Sequence, residues 1–270
     1  MTLNRLFQLP RQELTVGRLL HAVWRRFTAV PDSISYRLEA GPGSSNFDLI
    51  RSMQDVHRGE RCFILGNGPS LARMDLGLLR GQPSIGLNRI FLLFKQQPFR
   101  PTYYVCMNGL VLEQSADSIR QLDMPRFLNW RYRHLFSGDG PSIYLLESFM
   151  SVFSGNLTSG VWGGATVTFV ALQVAFHLGF EDVVLIGVDH RYSATGTPHT
   201  TVEEQGPDPD HFAADYFPPG FKWQLPDLRT SEIAYRMARQ AYEAAGRRIV
   251  DATPGGDLQV FDKVDFREVV

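Results

Sequence analysis

Arg61-Cys-Phe-Ile-Leu-Gly-Asn-Gly-Pro-Ser-Leu71 is the stretch on which the reading of the fold turns. A short apolar run, with charge before it and Gly66 after it, predicts a strand buried on both faces, as in a parallel sheet. Gly66-Asn-Gly68 then makes a tight turn, and Pro69 opens a helix or half-helix. Two further runs repeat the pattern: Ser84-Ile-Gly-Leu87 stops at Asn88, and Tyr103-Tyr-Val-Cys-Met107 stops at Asn108. Buried strands that end on polar, turn-prone residues are where open α/β sheets carry their ligands.

Downstream, Phe127-Leu-Asn129 and Ser142-Ile-Tyr-Leu-Leu146 predict two more strands. Gly163 and Gly164 precede a helix over Ala165 to Leu178, stopped by Gly179 at the expected C-terminal position. A strand follows over Asp182 to Gly187, leading into Val188-Asp-His-Arg-Tyr192. The Gly-, Pro- and Asp-rich segment from Ser193 to about Asp227 is long for a turn and reads as a lid over a site. A last helix is expected over Thr230 to Ala245, burying Ile233, Met237, Ala241 and Ala234, before a strand at Arg248 to Val250. The alternation predicts an α/β fold: a Rossmann-like, open, mostly parallel sheet with helices on both faces. It occupies residues 46–270, with a helix over about 47–57 leading in. Residues 1–45 read as an N-terminal helical appendage, closed by the breakers Ala40-Gly-Pro-Gly-Ser-Ser45.

Composition narrows the function classes. The 270 residues carry a net charge of −1, which removes the basic field expected of a nucleic-acid binder. Two cysteines, Cys62 and Cys106, lie in apolar runs without metal-like spacing, so neither a disulfide framework nor a zinc site is expected and a reducing compartment fits. No apolar run reaches the roughly 18 residues of a membrane span. In Val16 to Phe27 the residues Leu19, Leu20, Val23, Trp24 and Phe27 gather near one helical face, with Arg25 and Arg26 off it. That helix is expected to dock on its own domain; peripheral contact with a membrane surface or a partner is the open alternative. Self-association is left open as well.

Five constellations carry chemistry. Gly66, Asn67, Gly68, Pro69 and Ser70 place bare backbone N–H groups and one amide at a strand end, where a phosphate or ribose can approach. The third glycine of the dinucleotide fingerprint is absent, as is the Lys of a P-loop. Asn88 and Asn108 are turn formers or caps singly, but with Asn67 they line three neutral amides along one sheet edge. Thr158, Ser159 and Gly160, with Gly163 and Gly164, precede a helix whose N-terminus favours an anion. Asp189, His190 and Tyr192 follow a buried strand; Asp189 suits a metal, an imidazole or a ribose, and His190 or Tyr192 an acid, base or donor role. In the lid, Asp208, Asp210, His211, Asp215 and Tyr216 gather a histidine among carboxylates, a general-base or divalent-ion arrangement. No nucleophile elbow or zinc-protease motif is present.

Phe63-Ile-Leu-Gly-Asn-Gly-Pro-Ser-Leu71, Asn88, Thr158-Ser-Gly-Val161 and Leu185-Ile-Gly-Val-Asp189, in that order, resemble the bacterial sialyltransferases that use CMP-activated sugars. The resemblance extends to related flagellin nonulosonate transferases and a hydroxymethylpterin diphosphokinase, and covers roughly residues 60–110 and 155–255. It implies a cytoplasmic, cofactor-free, metal-independent inverting glycosyltransferase of glycan biosynthesis. Asn67, Asn88 and Asn108 would hold the cytidine nucleotide, the Thr158 loop would lie near the donor, tyrosines (Tyr192 or Tyr216) would assist the leaving phosphate, and His211 or else His190 would take the acceptor proton. The expected partners are a nucleotide-sugar donor and a glycan or small-molecule acceptor. The diphosphokinase relatives imply the alternative: an ATP-dependent pyrophosphoryl transfer with Mg²⁺ held by Asp189 and Asp208 or Asp210. A third reading keeps the fold and nucleotide binding without chemistry.

Overall fold

The computed structural model describes residues 30–136, 138 and 140–270, so the 16–27 stretch lies outside the described residues. Its centre is an eight-stranded sheet built from β1 (Arg61–Leu65), β2 (Ser84–Leu87), β3 (Tyr103–Cys106), β4 (Arg126–Asn129), β5 (Ser142–Leu145), β8 (Asp182–Ile186), β11 (Arg248–Asp251) and β12 (Asp262–Lys263). Their spatial order is β12-β11-β8-β1-β2-β3-β4-β5, and every ladder is parallel. The chain builds outward from β1 to β5, then returns to the other side of β1 with β8. This reversal opens a crevice at the carboxyl ends of β1 and β8, the place where such sheets bind ligands.

Why the apolar runs are strands is visible in their two-sided burial. In β1, Cys62 and Ile64 enter one core while Phe63 and Leu65 enter the other. All four are fully buried. Each such side chain contributes about 1.5–3 kcal/mol by leaving water.

The first core lies beneath α5 (Val167–Leu178) and α6 (Leu228–Ala244). Helix α5 packs on β1, β2 and β3 and also on α6, which explains why it is apolar nearly all round. Gly179 ends it at φ 99°, a conformation that favours glycine. Helix α6 buries Ser231, Ala234, Tyr235, Ala238 and Tyr242. Of the expected face only Ala234 is buried; Ile233, Met237 and Ala241 are half-buried. The stripe is displaced because tyrosines fill it. The Tyr242 hydroxyl donates to Leu172 O at 2.8 Å, and the Tyr235 hydroxyl lies 3.3 Å from Thr166 Oγ1.

The second core is covered by α3 (Gly109–Gln114), α4 (Ala116–Arg120) and several single-turn helices. Much of the expected lid belongs to this core: Phe212, Ala213, Tyr216, Phe217 and Phe221 are all buried in it. The segment is further closed by an antiparallel pair, β9 (Thr201–Glu203) and β10 (Lys222–Gln224), with Val202 opposite Trp223. A second small pair joins β6 (Glu147–Ser148) to β7 (Val161–Trp162).

At the N-terminal end of the described chain, helix α1 (30–39) lies against the β4 end of the sheet. Tyr36 meets Trp130 edge-on at 5.3 Å, Trp130 Nε1 donates to Ser35 Oγ at 2.9 Å, and Arg131 donates to Asp32 at 2.6 Å. Helix α2 (Ser45–Ser52) starts at Ser44, whose side chain accepts from Phe47 N–H, and stops short of the expected 57. Asp55 turns at φ 57°, and Asp55 and His57 donate instead to the carbonyls of His177 and Leu178.

Candidate functional site

At the reversal, the two loops leaving β1 and β8 lie backbone against backbone. A Cβ on Gly66 would stand 2.2 Å from Gly187 O, and one on Gly68 would stand 1.9 Å from Asp189 Oδ2. Asp189 accepts from Ser70 N–H at 3.2 Å and from the Ser70 hydroxyl at 2.6 Å. Gly68 is therefore glycine to admit a carboxylate of its own chain. Asp189 clamps the two loops together, and Ser70 is fully buried beneath it.

Above these loops opens a cavity of about 980 Å³ whose walls come from the carboxyl ends of β1, β2, β3, β4 and β8, the N-terminus of α5 and the 193–227 segment. Gly66, Asn67, Gly68, Asn88, Asn108, Asp189, His190, Tyr192, His211 and Tyr216 line it; Pro69, Ser70, Thr158, Ser159 and Gly160 do not.

The strand ends carry four asparagines in a row, one more than the sequence reading named. Asn129 ends β4, and its run Phe127-Leu-Asn129 had carried the same signal as the others. The four divide by role. Asn108 Oδ1 caps α3, accepting from Leu110 and Val111 N–H. Asn129 Oδ1 accepts from Arg131 N–H, and its Nδ2 donates to Met107 O and Glu147 Oε2. Asn67 donates from Nδ2 to Leu87 O at 3.0 Å, which leaves Oδ1 buried without a donor among the described residues. Asn88, held at φ 46°, likewise buries an unfilled Oδ1. An unmet buried acceptor costs about 1–3 kcal/mol, which a ligand N–H or O–H in this cavity would relieve.

The anion-favouring half of the site is not where Thr158-Ser-Gly160 predicted it. Thr158 bonds Asn156 through both its N–H and its hydroxyl, Ser159 N–H goes to Asn156 O, and Gly160 turns at φ 86° into β7 against Leu146. The residues that reach the cavity are Trp162 to Thr168. Gly164 at φ 56° and Ala165 at φ 59° swing the chain into α5, and Thr166 caps it by accepting from Thr168 N–H. The N–H groups of Gly164, Ala165 and Val167 have no acceptor among the described residues. They stand at the positive end of the helix, which attracts negative charge. The exposed Lys222 is also on the rim, with no ion pair among the described residues.

On the lid wall, His211 Nδ1 lies 2.8 Å from Asp208 Oδ2, and Asp208 also accepts from Asp210 N–H at 2.9 Å. The imidazole stacks on the Tyr216 ring at 3.9 Å and 4°. Its Nε2 has no partner among the described residues, so one nitrogen is oriented by a carboxylate and the other is available. The His211 side chain is 13% exposed and that of Asp208 3%. Tyr216 contributes only its face: its hydroxyl accepts from Arg89 N–H at 3.3 Å, and burial holds it well above the usual tyrosine range. Against His211, Tyr216 thus presents a ring platform. Tyr192 sits 6.4 Å from His211, ring to ring. Desolvation raises its pKa, and Tyr235, Asp210, Asp189 and Asp208 add to the effect, so its hydroxyl stays protonated.

His190 turns at φ 55°, its side chain is 7% exposed, and Glu232 is its nearest carboxylate at 3.6 Å. Burial lowers its pKa, opposed by Glu232, which keeps the ring neutral near pH 7. A further pair missed in the sequence, His199 and Asp227 at 3.4 Å, lies on the rim. The carboxylates named for a divalent ion each have another partner: Asp189 holds Ser70, Asp208 holds His211, and Asp210 holds Ser193 at 2.8 Å. Among the described residues no three His, Cys, Asp or Glu side chains converge into a metal-binding group. None of the described helices is long and apolar enough to cross a membrane, and Cys62 and Cys106 are free and buried.

No family model matches the chain, and no curated protein matches it in sequence. Among solved structures it is similar to the MAf glycosyltransferase of Magnetospirillum magneticum AMB-1, at 16% identity and a TM-score of 0.48 over 81% of this chain. The match spans 38% of that protein, of which this chain is a little under half the length.

Proposed function

We propose that the protein transfers a sugar from a nucleotide-activated donor to a hydroxyl acceptor by direct displacement. The observation that carries this reading is the Asp208–His211 pair in the wall of a cavity that is also lined by Gly164, Ala165 and Val167 at the α5 N-terminus, whose N–H groups have no acceptor among the described residues. The pair suits a base, the N–H groups a phosphate, and the cavity has room for a sugar.

In this reading His211 Nε2 accepts the acceptor hydroxyl proton as that oxygen attacks the anomeric carbon. Asp208 fixes the tautomer that leaves Nε2 free and stabilises the imidazolium that forms. The bond from the anomeric carbon to the phosphate oxygen breaks with its electron pair on the nucleotide, and the configuration inverts. The N–H groups of Gly164, Ala165 and Val167, Lys222 and the protonated Tyr192 hydroxyl meet the developing charge. Asn67 and Asn88 accept from donors of the nucleoside. Backbone and ammonium groups serve the phosphate in this scheme, so the transfer is metal-independent. The choice of cytidine rests on the sequence blocks Phe63 to Leu71, Thr158 to Val161 and Leu185 to Asp189.

Calorimetry with CMP, CDP, UDP, GDP and ATP, each with and without Mg²⁺, tests the donor class. CMP binding that ignores Mg²⁺ is the expected result. ATP binding that requires Mg²⁺ would overturn the reading in favour of pyrophosphoryl transfer to a hydroxymethylpterin-like molecule.

A further inference from the structure

Adjoining the large cavity at His211 is a second cavity of about 440 Å³, lined by residues 193–195, 202–205 and 207–211 together with Phe217, Trp223 and Leu225. It shares Asp210, His211, Phe217, Trp223 and Leu225 with the large cavity. His211 thus lines both a donor-sized space and a smaller chamber beside it.

The two spaces differ in charge. The large one is lined by Arg131, Arg191, Lys222 and the α5 N-terminus beside the carboxylates of Asp32, Glu147, Asp189, Asp210 and Asp227. The small one has no Lys or Arg in its lining; its ionisable groups are Glu203, Glu204, Asp208, Asp210 and His211. Asp208 and Asp210 are occupied by His211 and Ser193, and Glu204 accepts from Gln205 and Gly206 N–H, whereas the exposed Glu203 has no partner for its carboxylate among the described residues. Trp223 adds a flat wall, near-parallel to Phe217 at 5.6 Å, and its indole N–H is buried with no acceptor among the described residues. A buried indole N–H normally finds a partner, so this one marks a place for a ligand oxygen.

We infer that the small cavity receives the acceptor, and that the acceptor is an uncharged or amine-bearing polyhydroxyl group, a sugar end without carboxylate, sulfate or phosphate. The inference rests on the transferase reading and deepens it. Aromatic faces take the apolar C–H side of a sugar ring, carboxylates take its hydroxyl protons, and the orphan indole N–H gives to a ring or hydroxyl oxygen. An anionic acceptor would meet carboxylates with no cation to offset them, a like-charge penalty that excludes it. Where the two cavities meet at His211, the attacking hydroxyl loses its proton to Nε2, its oxygen bonds the anomeric carbon of the donor in the large cavity, and the bond from that carbon to the phosphate oxygen breaks with its electron pair on the nucleotide.

The test uses two variants and two probes. Thr195→Trp fills the small cavity from a position outside the large one, and Trp223→Phe keeps the ring and removes the N–H. With lactose as neutral probe and sialyllactose as anionic probe, wild type is expected to transfer to lactose with at least tenfold higher kcat/KM. Thr195→Trp should raise the lactose KM at least tenfold and Trp223→Phe several-fold, while the nucleotide Kd from calorimetry stays within twofold and the melting curve confirms folding. Donor turnover with an unchanged KM in both folded variants, or a preference for sialyllactose, would overturn the acceptor assignment and leave the transferase reading standing. If wild type turns over no nucleotide-sugar, with either probe or with water, the transferase reading falls and this assignment falls with it.

Discussion

Gly68→Ala asks the loop clamp at the β1–β8 reversal to accept one methyl group. The backbone there, at φ −69°, suits any L residue, so a conformational penalty is absent. In open space such a change would stabilise by about 0.4–1 kcal/mol through the unfolded chain. Here the new Cβ would lie 1.9 Å from Asp189 Oδ2 and 2.5 Å from its Cγ, so the carboxylate must leave. Its departure abandons Ser70, which is fully buried. A hydrogen bond to a charged group contributes about 1.5–3 kcal/mol net, and since Asp189 is only half-buried we take about 2. At about 2–4 °C per kcal/mol for a chain near this size, Gly68→Ala should lower Tm by roughly 4–8 °C. Asp189→Ala removes the same contact and should cost about as much. The decisive variant carries both changes. Because the carboxylate can be lost only once, the double variant should cost about 2 kcal/mol where additivity demands about 4. Thermal melts of the four proteins under one buffer measure the cycle. Additive losses would refute the claim that Gly68 is there for Asp189.

Further outcomes follow from other contacts. Asp208→Asn turns a donor toward His211 Nδ1 and moves the imidazole proton to Nε2; kcat should fall about 10²–10⁴-fold with nucleotide Kd unchanged, and activity within threefold of wild type would remove the pair from the mechanism. Gly164→Ala forces a Cβ to 2.6 Å from Phe169 Cδ1 at φ 56°, so it should destabilise by about 1–3 kcal/mol; a melt unchanged within 1–2 °C (about 0.5 kcal/mol) contradicts the packing. His177 donates to Ile50 O at 2.8 Å, and burial lowers its pKa. Its neutral form therefore contributes stability that is complete above about pH 6.5, the unfolded value, and is lost as pH falls below it, because the unfolded chain binds the extra proton. His177→Gln should flatten the decline of Tm between about pH 6.5 and 5, with His190 supplying what slope remains; an unchanged slope would exclude His177 as its source.

How much of this was legible in the chain depends on what each signal measured. Runs such as Cys62 to Leu65 and Val183 to Ile186 identify their own strands, because burial on both faces demands unbroken apolarity. The face of α6 escaped because Tyr235 and Tyr242 are buried with their hydroxyls near or bonded to Thr166 and Leu172, and a polar tip disguises such a core residue. The two- and three-residue strands β6, β7, β9, β10 and β12 carry no period to read; remote pairings such as Val202 with Trp223 make them. At the site, the strand-end residues Asn67, Asn88 and Asn108 named from the sequence lie in the lining of one cavity. The Thr158 block misled since hydroxyls and glycines serve a turn as well as an anion, and only packing places Gly164 rather than Gly160 at the cavity. His211 was found by residue type; that Asp208 rather than another carboxylate orients it is a matter of three-dimensional reach.

The segment that carries His211 also supplies Phe212, Tyr216, Phe217 and Phe221 to the second core. A flap hinged at its ends could not lift away without stripping apolar surface from the sheet, so in the proposed transfer the donor threads in past the rim instead of being covered after arrival. For anyone altering specificity, the same fact divides the segment in two. Residues 193–207, none of them buried, can be altered as surface, whereas residues 208–221, which join β9 to β10, are inherited with the foundation and must be redesigned as core.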